Sequence, residues 1–492
     1  MGSTSPPAIP VADDCKPPKK RTTWCSDQQS VQSHGGISAL PDDILIKILS
    51  LMTIREAALT DCLSTRWRHL WKKVKNVILD KHNFGMQTIA NPNIHENSDL
   101  LNSEATEFVH KVNRVLHHHS GNGIEKFEVK FPLSSTHASD LDRWIAFAAA
   151  SSAEKIFISL HDKHDIGAPQ QSEPYKFPLK EFADMRDYCW LRVLFLSMCS
   201  LETVPTNLSG FSHLESLSLN CVSIVDEVFL NIASSCHALR ELWLKKCNQL
   251  IHVRISNSQL VAMEVNGCKS LISINVHAKK LEEFSYMGHK VDIEYECAPV
   301  LSELNVHFVK RNECPLDCIG TLPALQTLTM QFPSRLQESH VLHHNGRFTG
   351  LKEMVLCLMK SWGKSIISVV YLLKAAPLVE TLTLEVYDNI RPLRPLNIIW
   401  PEDFTAEALH TIRIGGFSGE PELVDLLFFL LGRSPVLKTL LVYTQRRRYQ
   451  GYNRWQRYRW TPEDMKRRYY ARGVAFTLLA PKVPPTVKLT IS

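Results

Sequence analysis

The 492-residue sequence contains no run of 18 or more apolar residues, roughly the length a helix needs to cross a bilayer. Its densest stretch, Leu423 to Leu431, is short and broken by Asp425, so neither a membrane span nor a membrane partner is expected. The first residues lack a basic start followed by an apolar core, so secretion is not expected either. The 13 cysteines are scattered; the closest pair, Cys314 and Cys318, has no matching second pair and no spaced histidines. That pattern argues against a disulfide or zinc framework and for reduced intracellular thiols, many of them in the core. His117, His118 and His119 are adjacent, so they cannot all face one metal, and they read as a polar helix end. No phosphate-binding loop, dinucleotide fingerprint, zinc-protease pair or nucleophile elbow occurs. An enzyme, a cofactor and a metal are therefore not expected.

A net positive charge is absent from most of the chain. The net charge is +6, yet residues 446–470 alone hold nine Lys/Arg against Glu463 and Asp464, a net of +7, leaving about −1 for the remainder. A general nucleic-acid-binding surface is not implied, and nucleic acid is not the expected partner.

The first strong pattern is Ile37 to Val74. It reads as three short amphipathic helices. Leu40, Ile44, Leu45, Ile48, Leu49 and Met52 form one apolar stripe at helical spacing. Pro41 suits a first helical position, and Asp42 and Asp43 place negative charge at the positive end of the helix dipole. A second, Ala-rich helix is predicted over about Arg55 to Leu63. Ser64 can cap a third that carries Trp67, Leu70, Trp71 and Val74 at i, i+3, i+4 and i+7. Each Trp buries roughly 150–250 Å², worth on the order of 4–6 kcal/mol at about 25 cal/mol per Å². So much apolar surface on so few residues needs a cover, either the rest of the chain or a partner protein.

The order LPDDILIKIL, a short Ala-rich helix, then LSTRWRHLW resembles the F-box of plant F-box proteins. Met52-Thr53 departs from the Leu-Pro usual at that place. The resemblance implies docking onto an SKP-family adaptor and, through it, a cullin–RING ubiquitin ligase. Leu40, Pro41, Ile44, Leu45, Ile48, Leu49, Leu63, Trp67 and Trp71 would form the apolar anchor, some of them also holding the three helices together.

Residues 1–35 are polar and Pro-rich and read as a disordered tail; within it, Lys16 to Arg21 is a basic cluster suited to nuclear import. Residues 36–80 form the F-box domain. Val77 to Leu79 begins a strand, Ser103 to His119 a helix, Ile124 to Phe131 a strand, Asp140 to Ala150 a helix and Lys155 to Leu160 a strand. The last three, strand, helix and strand, give a first parallel unit. From there L-x-x-L-x-L recurs with apolar substitutions at Leu191, Leu214, Leu239, Leu260, Leu281, Leu301, Leu325, Leu351, Leu378, Leu409 and Leu437, separated by 20 to 31 residues. That is the strand signature of leucine-rich repeats. Cys199 and Cys247 follow the strand motifs as buried, turn-lining thiols. Between Leu239 and Leu301, half-steps at Leu250 and Leu271 predict short coils with strands on both sides. Each coil buries its leucines by stacking on the next, so the downstream repeats have no evident need of the N-terminal stripe.

Ala408 to Val442 resembles the FBD region of plant F-box proteins, read as strand, helix and strand. Pro421 would open the helix and Gly432 close it, and a terminal strand is expected around Val487, Leu489 and Ile491. The expected architecture is α/β: a three-helix F-box domain, a right-handed leucine-rich-repeat solenoid over 81–407, and FBD-like terminal repeats over 408–492. The basic segment 446–470 interleaves Tyr449, Tyr452, Trp455 and Tyr458 with Arg446, Arg447, Arg448, Arg454, Arg457 and Arg459. The plain reading is an exposed loop; stacking on single-stranded bases or clamping an acidic peptide are the functional ones. Together the resemblances imply an intracellular, nuclear or cytoplasmic substrate receptor of an SKP–cullin–F-box ligase. The other reading is a ligase-independent scaffold binding nucleic acid or acidic partners through 446–470. No residue marks the protein target or a small-molecule pocket.

Overall fold

The computed structural model describes residues 37–86, 98–161, 173–183, 190–309, 316, 319, 322–332, 348–358, 363, 366–387, 398–445, 447–449, 455–457 and 462–492. The N-terminal tail, with its basic cluster, lies outside them. Three helices open the described chain: α1 (Asp42–Leu49), α2 (Ile54–Leu59) and α3 (Thr65–Leu70). Their ends are set by local chemistry. Thr53 and Glu56 form a reciprocal capping box on α2, and the Ser64 side chain accepts from Trp67 N–H at α3. The second helix is shorter than expected because its last residues tighten into a 3-10 turn at Thr60–Cys62.

β1 (Asn76–Asp80) leaves the helical module and pairs in parallel with β2 (Lys126–Lys130), which pairs with β3 (Lys155–Ser159). The crossovers are α4 (Ser98–His118) and α5 (Ala138–Ala150). The parallel sheet thus starts one strand earlier than the first expected unit, inside the span read as the F-box domain.

Fifteen strands make one continuous sheet in which every pairing is parallel, running from β1 to Lys488–Ile491. All eleven repeat motifs supply a strand to it. One register line carries Leu194, Leu217, Leu242, Met263, Phe284, Leu304, Leu328, Met354, Leu382, Ile412 and Leu440, and each is buried. Period-two alternation therefore turns one face of the sheet inward for its whole length. One register differs from the sequence reading. Leu378 is 54% exposed, whereas Val379 is 2% exposed and begins the pattern Val379, Leu382, Leu384.

Behind the sheet the cover changes with the loop length. α6 (Asp226–Ser235), α7 (Ser368–Ala375) and α8 (Pro421–Arg433) pack where the coils are long. Where they are short, His252–Ser256, Ser273–His277 and Asp292–Cys297 form a second parallel sheet instead; the half-steps at Leu250 and Leu271 predict the first two of these strands but not the third. The tight corners are made by Met198, Cys221, Lys246 and Gly267, all at positive φ. Each donates its N–H across to the next coil, Lys246 to Asn266 O at 2.7 Å for example. α8 opens at Pro421 as expected, but Gly432 lies within it and the helix ends at Arg433. The segment read as an exposed loop contains an antiparallel hairpin, Arg447–Tyr449 with Trp455–Arg457, followed by α9 (Pro462–Val474). No described helix is long and apolar enough to cross a membrane.

Candidate functional site

The helical module has two unlike sides. On one, Leu45, Leu49, Ile54, Trp67, Leu70 and Trp71 are buried in a core that continues through β1 into the first repeats. The Trp71 indole N–H donates to Asp61 Oδ1 at 2.8 Å, so the ring's polar edge is satisfied. Lys75 N–H donates to Ser50 Oγ at 3.0 Å and the Asn76 amide to Ser50 O at 3.2 Å, which ties the end of α1 to β1. Ser120 N–H reaches Lys72 O at 2.8 Å. The stripe is therefore partly covered by the chain itself, contrary to the expectation that the repeats have no use for it.

On the other side, Ile37, Leu40, Ile44, Leu51, Met52, Leu59 and Leu63 are exposed, Leu51 at 82% and Leu59 at 63%. They come from the approach to α1, its outer face, the α1–α2 turn, the end of α2 and the turn before α3. Arg66 holds this surface in shape: its guanidinium donates to Leu40 O at 2.6 Å and to Asp42 at 2.5 Å. The capping carboxylate Glu56 is held below its usual pKa by the Thr53 backbone and hydroxyl, which keeps α2 capped at neutral pH.

The residues expected to anchor a partner thus divide. Leu40, Pro41, Ile44 and Leu63 are exposed, Ile48 is half-buried, and Leu45, Leu49, Trp67 and Trp71 belong to the internal core. Burial assigns the last four to the fold and leaves their outer neighbours exposed. Ile37, Leu51, Met52 and Leu59 complete the exposed patch and are absent from the expected anchor set. Helical spacing locates a stripe but not its edges, and Leu51 and Leu59 lie off the stripe.

The open face of the long sheet shows a different chemistry. Phe157 and Phe195 stack at 6.1 Å, with Lys126 Nζ over Phe157 at 4.9 Å. Glu353 takes Arg413 at 3.3 Å across two strands. His307 and Cys357 lie on this side yet are buried; burial lowers the His307 pKa to about 4. Cys199 and Cys247 are buried as expected, and burial pushes the Cys199 thiol up to about 12. Neither is a nucleophile in that state. His117 and His118 are exposed, but His119 is buried. No group of three His, Cys, Asp or Glu suited to a metal occurs among the described residues.

In the basic segment, Arg447, Arg448 and Arg457 lie on the hairpin, with Arg447 paired to Arg457 and Arg448 to Gln456 in register. Arg446, Arg454 and Arg459 lie outside the described residues.

Residues 37–79 match the F-box domain model, and residues 115–492 match the leucine-rich-repeat domain of the At1g61320/AtMIF1 type. Among curated relatives, the F-box/LRR-repeat protein At5g02910 of Arabidopsis thaliana is 24% identical over 286 residues, covering 57% of this chain and 54% of that protein. The F-box/FBD/LRR-repeat protein At1g13570 of Arabidopsis thaliana is 23% identical over 436 residues, covering 84% and 91%. The F-box protein At5g03100 of Arabidopsis thaliana is 24% identical over 317 residues, covering 63% and 89%. The match thus spans about half the length of the first of these and most of the other two.

Proposed function

We propose, given that this chain belongs to the F-box/leucine-rich-repeat proteins, that it is the substrate-recognition subunit of an SKP–cullin–F-box ubiquitin ligase. The observation that carries the reading is the two-sidedness of the helical module. Its inner side is buried, yet seven large apolar side chains between Ile37 and Leu63 remain exposed on the outer side. A patch of that kind on a soluble domain marks an interaction surface. The adaptor of the SKP family is the partner that an F-box implies, with the cullin–RING ligase beyond it. The protein target would be held by the open face and rims of the solenoid, close to the charged ubiquitin carrier. Catalysis by this subunit is then proximity alone, and the acyl transfer belongs to other subunits.

The test is capture of a recombinant SKP-family adaptor by the full chain. Ile44→Glu with Leu59→Glu is expected to abolish capture while leaving the thermal midpoint within a few degrees. A folded double variant that captures the adaptor as well as the parent would overturn the reading.

A further inference from the structure

The C-terminal helix α9 packs by a narrow seam and leaves its other side bare. Ala471, Ala475 and Leu479 recur at i, i+4 and i+8 and are fully buried. From Ala475 to Leu479 the backbone is a π turn. Its wider turn carries Leu479 back onto the seam and sets Phe476 and Leu478 outside it. Tyr469 is 70% exposed, Phe476 52% and Leu478 51%. Lys466, Arg467 and Arg472 lie along the same helix, while its carboxylates, Glu463 and Asp464, are confined to the first turn, where the helix dipole favours them.

Gly473 stands in the middle of this surface. It is exposed, and a Cβ added there would meet nothing in this chain. Glycine inside a helix costs about 1 kcal/mol relative to alanine, and no internal packing requires it here. A bare backbone at the centre of an exposed patch suits close approach by another molecule. Tyr, Phe and Arg around an apolar centre are also the residue types enriched at protein–protein interfaces. Charge complementarity fixes the sign of the occupant, since Lys466 and Arg472 flank Tyr469 and Gly473 at helical spacing while both carboxylates of the helix stay in its first turn.

We propose that this face of α9 docks an acidic segment of a partner protein, seating an aliphatic side chain of that segment over Gly473. The surface is separate from the outer patch of the F-box, and the proposal stands whether or not the chain joins a ligase.

The test uses the full chain and three labelled probes in 150 mM salt: a 15-residue peptide of alternating Glu-Glu and Leu-Leu pairs, a 15-nucleotide oligo-dT, and phosphatidylserine vesicles. The peptide is expected to bind best. Tyr469→Ala with Phe476→Ala should weaken it at least tenfold, and Lys466→Gln with Arg472→Gln at least fivefold. Gly473→Ala should weaken it at least threefold while raising the thermal midpoint, which separates an occluded contact from lost folding. Peptide binding unchanged in all these variants would overturn the proposal. So would tighter binding of the oligonucleotide or the vesicles through the same residues.

Discussion

His119 is bonded to the Val74 carbonyl, joining the helical module to the first repeat. Its Nε2 lies 2.9 Å from Val74 O, and Gly121 N–H donates to its Nδ1 at 3.0 Å. An Nδ1 that accepts carries no proton, so the proton sits on Nε2 and the buried ring is neutral. Burial lowers its pKa, with the Val74 bond opposing that shift. Protonation would need a proton on Nδ1 in the place of the Gly121 bond.

The pH dependence follows from that state. In the unfolded chain a histidine titrates near 6.5, whereas folded His119 and His307 titrate lower. Above about pH 7 both states are neutral and these groups add no slope. Below about 6.5 the unfolded chain binds protons that the folded chain refuses, so stability falls, by up to about 1.4 kcal/mol per histidine per pH unit. The loss should level off once pH drops through the folded pKa, about 4 for His307. Denaturant midpoints measured from pH 8 to pH 5 are expected to be flat and then to decline. His119→Asn should lower stability at pH 8 but decline less steeply. An identical slope in that variant would remove His119 from the account.

Neighbouring residues on α1 should behave in opposite ways. Leu45 is fully buried and Ile44 is 41% exposed. Leu45→Ala should cost about 2–5 kcal/mol, and Ile44→Ala should stay within about 0.5 kcal/mol. Adaptor capture, corrected for the folded fraction, should fall only for Ile44→Ala. Chemical denaturation and pull-down on the same preparations separate the two roles.

The sequence makes the periodic parts legible, and the edges less so. Each repeat strand is visible because Leu or a substitute must point inward at every second residue, as Leu217 and Leu219 do. The strand at Asp292–Cys297 is missed because its alternating residues, Ile293 and Tyr295, are only half-buried and its outer face is Asp, Glu and Glu. The division of the N-terminal apolar stripe is hidden for another reason. Leu45 and Ile44 are alike in composition, and only the arrival of β1 and the first repeats decides which is covered. The hairpin and α9 are obscured by their charge, since neither has an apolar face wide enough to register.

The misread repeat at Leu378 offers its own check. Leu378 and Val379 are adjacent and both apolar, so the motif fits either start. The structure resolves it: Met354 pairs with Leu382, which makes Leu382 and Leu384 the inward strand residues, and Val379, three residues before Leu382, is the one buried at 2% exposure. Val379→Asp should therefore cost more than about 3 kcal/mol, an unpaired buried carboxylate being among the worst substitutions. Leu378→Asp should be tolerated within about 0.5 kcal/mol. Thermal unfolding of the two single variants distinguishes the registers directly.

Two glycines should respond to alanine with opposite signs. Gly210 sits in the 3-10 turn Ser209–Phe211, where an added Cβ would lie 2.5 Å from the carbonyl oxygen of Phe182. That oxygen is backbone and cannot swing aside. The coil beneath is fixed by Phe182 itself, whose ring packs on Phe211 at 5.6 Å and on Phe177 at 5.8 Å. Gly210→Ala must push two coils apart and should cost about 1–3 kcal/mol. Gly432 lies within α8, is exposed, and has nothing within 4 Å of a built Cβ. Gly432→Ala removes the conformational freedom that glycine gives the unfolded chain and adds a better helix former. It should therefore stabilise by about 0.5–1 kcal/mol. If glycine at 432 instead closed the helix in the left-handed conformation, alanine there would destabilise by a similar amount. The sign of the shift in denaturation midpoint thus reports whether α8 runs through Gly432 to Arg433.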